Sequence, residues 1–428
     1  MKNIILKNIE DANPLTQGAT STNSLNFKFF TPRQEHPDFD QLNFEAKALA
    51  QEATKTQELP QTGIQKLKRM FKSYKTTAIN WIKNKKRVSE NREDLLPLYF
   101  IWSILRTCNF LCDYCDDHRG NKYPEMSNKG ALDTDQAKKL LGVMRTRTPS
   151  VYYAGGEPTL RSDLPEILRH GRNLNYFPQI INTNGSVIHK LLKRKNWSNF
   201  LADFDIIIVS LDSLRVDMLN EMYRYKKSED IIRNVLALRE LRDTYGFKLM
   251  VNCVVQPGRI QDAVDVLNFA NDLGITFAGV PQNDGPVAKD GLLLNLEYRK
   301  FVSTLLTRHK AGHKFAGSYR MNNRLYNGVP LNCRNTLKPH IDFDGTLFWP
   351  CKACVNVQPE KLNILAHKHL DEVWAKGRKM INPDKFHGPA PTQCGANCNW
   401  AQNYTTDTYY HGLKNPASIL TEIRDFLN

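Results

Sequence analysis

From about position 98 onward, short apolar runs alternate with stretches of helical period. The runs at 99–105, 151–154, 179–182, 206–210, 249–255 and 276–280 predict six strands. Between them 134–145, 163–174, 187–195, 228–245 and 260–273 read as helices, and 297–309 follows the last strand. Strict alternation of strand and helix implies right-handed parallel crossovers, hence an α/β fold with ligands at the carboxyl ends of the strands. Six units fall short of the eight that close a barrel, so the pattern predicts a partial (β/α)6 TIM-like barrel. After about residue 316 the alternation breaks. A hairpin at 340–350, turning on Asp344-Gly345, and a helix at 370–379 are expected there, in a small cysteine-rich C-terminal domain.

Upstream of the barrel two patterns differ sharply. Residues 1–60 are rich in Asn, Gln, Thr and Pro without a sustained period and read as a mostly irregular arm. From Ile64 the spacing alternates between three and four: Ile64, Leu67, Phe71, Tyr74, Ala78 and Trp81 line one helix face, and Lys66, Lys68, Arg69, Lys72, Lys75, Lys83 and Lys85 occupy the others. This basic helical N-terminal extension packs its apolar face on the barrel and leaves the basic face in water, or it lies on an anionic membrane surface through residues 64–87. Nucleic acid is the least favoured partner, because the basic run is short and no RNA-binding fold accompanies it. The expected organisation is an arm at 1–60, the basic helix at 61–95, the barrel at 96–315 and the cysteine-bearing tail at 316–428.

Charge sharpens that division. The 428 residues carry a formal +15, yet residues 61–89 alone hold nine Lys/Arg and no acid, whereas residues 1–60 hold six against eight. The excess is a local patch that suits an anionic partner. No signal-peptide core follows Met1, since Ile4-Ile5-Leu6 is too brief, and no run reaches the length of a membrane span. A cytoplasmic, or membrane-peripheral, protein is expected, with its nine cysteines reduced and available as ligands or buried thiols.

Three of those cysteines, Cys108, Cys112 and Cys115, follow the first predicted strand at spacings of four and three. Three thiolates in one loop can converge on one metal site and leave a coordination position open, which marks a catalytic centre; a zinc knuckle completed by a distant ligand such as His118 is the other reading. The second strand ends in Tyr153-Ala-Gly-Gly-Glu-Pro158, where the glycines let backbone approach a ligand and Glu157 can accept from an ammonium group. Asn182-Thr-Asn-Gly185 closes the third strand, Ser210-Leu-Asp-Ser213 the fourth, and Arg224 follows.

Taken together and in order, these motifs resemble the radical S-adenosylmethionine (SAM) superfamily over roughly residues 97–312. The resemblance implies that Cys108, Cys112 and Cys115 ligate three irons of a 4Fe–4S cluster and that SAM chelates the fourth. It implies that Glu157, with the backbone at Gly155 and Gly156, holds the amino group of SAM. Ser210 and Arg224 would serve its ribose and carboxylate end, Tyr114 would lie near adenine, and Asn184 and Asp212 would join the cofactor-binding residues. A reduced cluster would cleave SAM to a 5′-deoxyadenosyl radical that takes a hydrogen atom from substrate, with electrons from a flavodoxin or ferredoxin. The glycine-bearing motif common near strand five is replaced by Val251-Asn-Cys-Val-Val255, in which Cys253 reads as a buried structural thiol.

The tail carries Cys333, Cys351, Cys354, Cys394 and Cys398, around the predicted hairpin and the helix bearing Trp374. This resembles a SPASM/twitch extension. Five cysteines can complete one auxiliary 4Fe–4S cluster, expected on Cys333, Cys351, Cys394 and Cys398 with Cys354 as substitute. A zinc ribbon on the same residues remains open. The expected activity is that of a radical SAM enzyme acting on a lipid or small metabolite, with a peptide- or protein-modifying maturase as the alternative and a non-catalytic zinc-binding interaction protein as the outside reading.

Overall fold

The computed structural model describes residues 25–115, 127–352, 360–381 and 398–418. Six parallel strands run in chain order: β1 (Tyr99–Leu105), β2 (Ser150–Gly155), β3 (Gln179–Thr183), β4 (Ile206–Ser210), β5 (Lys248–Val255) and β6 (Thr276–Pro281). Each is followed by helix, including Thr134–Arg145, Leu164–Asn173, Glu229–Tyr245 and Ile260–Asp272, which wrap the outside of the sheet. Strands such as Ile206–Ser210 consist of β-branched residues because parallel strands are covered on both faces. The sheet is open, and the fold is the expected partial barrel.

Three further strands join the same sheet rather than standing apart from it. β7 (His340–Ile341) pairs in parallel with β1, opposing His340 to Ile101; β8 (Thr346–Trp349) returns antiparallel, and β9 (Glu360–Asn363) completes the order β9-β8-β7-β1-β2-β3-β4-β5-β6. The turn between β7 and β8 falls on Asp344-Gly345 as expected, with Gly345 at φ 80° and the Asp344 carboxylate accepting from Thr346 N–H at 2.9 Å. The tail is thereby fixed to the strand that carries the first cysteine loop.

The arm departs from expectation. Residues 39–53 form a helix, α1 (Phe39–Ala53), whose side-chain cap is Asp38. Its buried positions Phe39, Leu42, Ala46, Leu49, Ala50 and Ala53 face the helix Glu229–Tyr245, and Phe27, Phe30 and Phe39 form an edge-to-face cluster against Phe269. The irregular reading was overturned because the many polar residues mask a period carried by small alanines.

The second helix, α2 (Gly63–Ser89), is present, and its orientation is the reverse of the packed alternative. Its buried residues are Arg69, Ser73, Asn80 and Asn84. Each donates to backbone carbonyls in the segments that lead into the strands: Arg69 to Tyr176 O at 2.9 Å, Ser73 to Pro149 O at 2.6 Å, Asn80 to Pro97 O at 3.0 Å and Asn84 to Leu96 O at 3.0 Å. Arg69 also grips the buried Asp205 carboxylate with both terminal nitrogens. Carbonyls at the amino ends of β1 to β3 and the Asp205 carboxylate before β4 take donors from this polar ridge. Ile64, Leu67, Phe71, Tyr74 and Ile82 therefore point outward, while Trp81 turns to Tyr409 of the helix Ala401–Lys414 at 5.1 Å and Val88 packs in the same cluster.

Replacing Arg69 by alanine strands Asp205 as a buried, uncompensated carboxylate. The expected cost is about 3–5 kcal/mol, measured as a shift of the urea unfolding midpoint at neutral pH.

Candidate active site and tail thiol centre

All four chemical motifs meet at the carboxyl ends of β1 to β4. The Cys108, Cys112 and Cys115 loop leaves β1; Gly155 and Gly156 end β2; Asn184 follows β3; Ser210 and Asp212 end β4. The glycines also make a close contact within the chain itself. Gly156 N–H donates to Leu105 O at 2.8 Å and Glu157 N–H to Thr107 O at 2.9 Å, so the exit of β2 lies on the root of the cysteine loop. A Cβ on Gly156 would sit 1.9 Å from Thr107 O, and one on Gly155, at φ 139°, would sit 2.3 Å from Leu105 O. The close approach is between two strand exits.

Glu157 is likewise put to an internal use. Its carboxylate is buried and accepts four bonds: from Thr159 N–H at 3.0 Å, the hydroxyls of Thr159 and Thr183 at 2.6 Å each, and Asn184 N–H at 2.6 Å. Burial pushes its pKa up, and those donors pull against the rise. Asn184, fixed in this way, donates its amide to Asn109 at 2.8 Å and lies 3.7 Å from the Cys108 sulfur, which also receives Phe110 N–H at 3.3 Å. Cys108 is pushed up to about 11 by burial and by the Glu157 charge, and Cys112 is raised by burial, Cys115, Asp212 and Cys108. Three half-buried thiols on one loop, two of them held protonated by burial and nearby negative charge, are what a bound cationic centre would relieve, so the donor set fits a metal cluster. Among the described residues no three such side chains close into a finished cage, so the thiols are gathered on one loop and not locked around a point.

On the other side of the loop the Tyr114 hydroxyl donates to Asp212, whose second oxygen accepts Val254 N–H at 2.7 Å. Burial raises Asp212 to about 6. Arg224, at φ 48° and ending the helix Val216–Tyr223, pairs with Asp113 at 2.6 Å on the exposed rim. Phe110 stacks on Tyr223 at 5.0 Å, closing the loop from behind. Ser210 is half-buried at the end of β4 beside Asn252. Cys253 is fully buried in β5.

In the tail, Cys333 and Cys351 are buried and Cys398 half-buried, near enough that Cys351 and Cys398 both raise Cys333. Cys354 and Cys394 lie outside the described residues. Sequence reading missed Lys338. Its ammonium is buried, donates to Asn403 Oδ1 at 3.0 Å and sits 3.7 Å from the Trp400 ring centre. Burial lowers it to about 8 while the three thiols, as thiolates, pull it upward. Asn403 donates in turn to the Cys398 sulfur at 3.2 Å. A buried cation among thiols, with no carboxylate paired to it among the described residues, fits an anionic thiolate centre.

A parallel partial barrel with a three-cysteine loop at its ligand end defines a cofactor-dependent class of protein. Residues 102–270 match the family model of the Radical SAM superfamily. That family uses a 4Fe–4S cluster and SAM. Curated relatives include a GTP 3′,8-cyclase of Streptomyces coelicolor, 31% identical over 172 residues, covering 39% of this chain and 48% of that protein. Another is the Fe-coproporphyrin III synthase of Methanosarcina barkeri, 32% identical over 155 residues, covering 36% of each. The chain thus spans half or less of the length of these relatives. Among solved structures, Streptococcus suis SuiB bound to precursor peptide SuiA shares the fold, with TM-score 0.52, 19% identity and 72% coverage of both chains.

Three substitutions test this architecture. Glu157→Gln keeps the shape but turns one acceptor into a donor against a ring of donors, and should lower stability by about 2 kcal/mol in urea unfolding. Gly156→Ala should cost about 1–3 kcal/mol. Gly142→Ala, in the helix Thr134–Arg145 where a Cβ meets nothing within 4 Å, should instead stabilise by up to about 1 kcal/mol.

Proposed function

We propose that this chain is a radical SAM enzyme acting on a small metabolite, with residues 96–315 as its catalytic unit and a second iron–sulfur centre in residues 316–428. The observation that supports it most directly is the meeting of the three-thiol loop with the Gly155-Gly156 turn through backbone contacts that admit no Cβ. Cys108, Cys112 and Cys115 would hold the 4Fe–4S cluster. SAM would lie against the backbone of Gly155 and Gly156, with Tyr114, Asn184, Ser210, Asp212 and Arg224 around it. When bound and reduced, these groups supply one-electron cleavage of the sulfonium and abstraction of a hydrogen atom from an unactivated carbon.

The chain's own residues hold and insulate. Phe110 N–H and the Asn184 amide point donors at the Cys108 sulfur, which stabilises its thiolate form. Glu157 acts as a positioning residue, fixing Asn184 and the exits of β2 and β3. The stack of Phe110 on Tyr223 excludes water from the back of the loop. Cys333, Cys351 and Cys398, with Cys354 or Cys394, would hold an auxiliary 4Fe–4S cluster balanced by Lys338. A flavodoxin or ferredoxin would supply electrons, and residues 64–87 would give a peripheral contact with an anionic membrane. The small-metabolite reading follows the curated relatives, whose names specify GTP and a porphyrin.

Anaerobic reconstitution tests the reading. About eight irons per chain are expected, with 5′-deoxyadenosine released from SAM after reduction. Cys112→Ala should abolish that release, whereas Cys333→Ala should lower the iron to about four and leave SAM cleavage in place. About four irons together with one zinc in the native chain would overturn the auxiliary cluster and leave the radical SAM site standing.

A further inference from the structure

The outward face of α2 takes no part in the proposed chemistry. Ile64, Leu67, Phe71, Tyr74 and Ile82 are exposed, Phe71 by 70% and Ile82 by 69%. With Ala78 they occupy one arc of the helix, opposite the anchored ridge of Arg69, Ser73, Asn80 and Asn84, and from Ile64 to Ile82 the row runs about 27 Å. Exposed lysines flank it at 68, 72, 75, 83 and 86, and residues 61–89 contain no acid. Beside the row lies a cleft of about 630 Å³ walled by Gln65, Leu67, Lys68, Phe71, Lys72 and Arg172.

We propose that this face seats the protein on an anionic phospholipid surface: the apolar row enters the acyl boundary, the lysines meet headgroup phosphates, and the cleft takes a headgroup. The occupant follows from shape and charge. A second copy docking face to face would set two acid-free lysine rows against each other, which repel. A peptide helix needs a groove, whereas this is a convex ridge, and a deformable bilayer accepts a ridge. Anionic lipid complements the lysines and the apolar row at once.

Orientation gives the inference its consequence. The ridge of α2 binds the segments entering β1 to β4, and the cysteine loop leaves the opposite ends of the same strands, about 20 Å away. The mouth of the barrel therefore faces away from the bilayer. The membrane serves as an anchor, and substrate arrives from water and not from the lipid beneath. This deepens the membrane contact proposed above, and it stands apart from the radical chemistry because vesicle binding requires no iron.

Full-length protein should co-sediment with phosphatidylserine–phosphatidylcholine vesicles and fail to do so with phosphatidylcholine alone. The exposed pair Phe71→Ser with Ile82→Ser, and separately Lys68→Glu with Lys72→Glu, should each weaken binding at least about tenfold. Hydrogen exchange should slow on vesicle binding at residues 64–86 and remain unchanged at 105–115. Absence of binding by the native chain, or unaltered binding by both pairs, overturns the proposal. So does a native dimer that the serine pair dissolves, which would make the occupant a second copy. Protection of 105–115 overturns the orientation.

Discussion

One buried carboxylate holds the ligand end of this fold together. Glu157 sits where β2 stops, and its two oxygens accept from the exit of β3, through the Thr183 hydroxyl and the Asn184 backbone N–H, and from both groups of Thr159 in its own turn. Burying a carboxylate costs several kcal/mol unless its lone pairs are met, and four donors are close to its full capacity. The strand exits have no freedom to splay without abandoning that charge. Asn184 inherits its position from this arrangement and passes it to Asn109 and Cys108, so the cysteine loop is registered on the sheet by polar contacts as well as by the glycine approach.

The amino end of the barrel solves a related problem in a different way. Segments entering parallel strands carry carbonyls beyond the regular ladder, and α2 donates to a row of them with one Arg, one Ser and two Asn spaced along a single face. A helix anchored by polar groups has to put its apolar residues somewhere. With six large or medium apolar side chains on the opposite face, it becomes amphipathic toward solvent, the reverse of a helix packed on a hydrophobic core. The chain thus separates its two ends, with thiols and glycines at one and an exposed apolar ridge at the other.

Much of the barrel was legible because its signals are redundant. β1, β4 and the helix Thr134–Arg145 fall on the predicted limits: the strands read as unbroken apolar runs, and the helix begins with Asp133 and Gln136 capping one another. α1 was hidden by a composition dominated by polar residues. For α2 the period was readable and the buried side was not, since which face packs depends on carbonyls brought together only by the fold. Glu157 shows the same limit. Its position in a glycine-rich turn was plain, but its partner Thr183 lies 26 residues away on another strand, so its internal role could not be read locally. The two-residue strand β7, too short to carry a period of its own, is what joins the tail to β1.

The tail site follows from charge balance. Lys338 has no access to water, and an ammonium held there against desolvation needs compensating negative charge nearby. The aromatic face of Trp400 and the Asn403 carbonyl oxygen satisfy its geometry and supply no net charge. Cys333, Cys351 and Cys398 can supply it, but only as thiolates, and burial alone drives Cys333 the other way. Metal binding would resolve the conflict, because it would deprotonate the thiols, and the proposed four-thiolate centre would carry a net charge of about −2 beside the lysine. A centre ligated by neutral imidazoles would leave Lys338 uncompensated. The cation thus suits the proposed thiolate-rich site, and Trp400, stacked on His340, whose ring bonds Ser103 of β1 at 2.9 Å, holds this part of the tail against the strand that ends in the first cysteine loop.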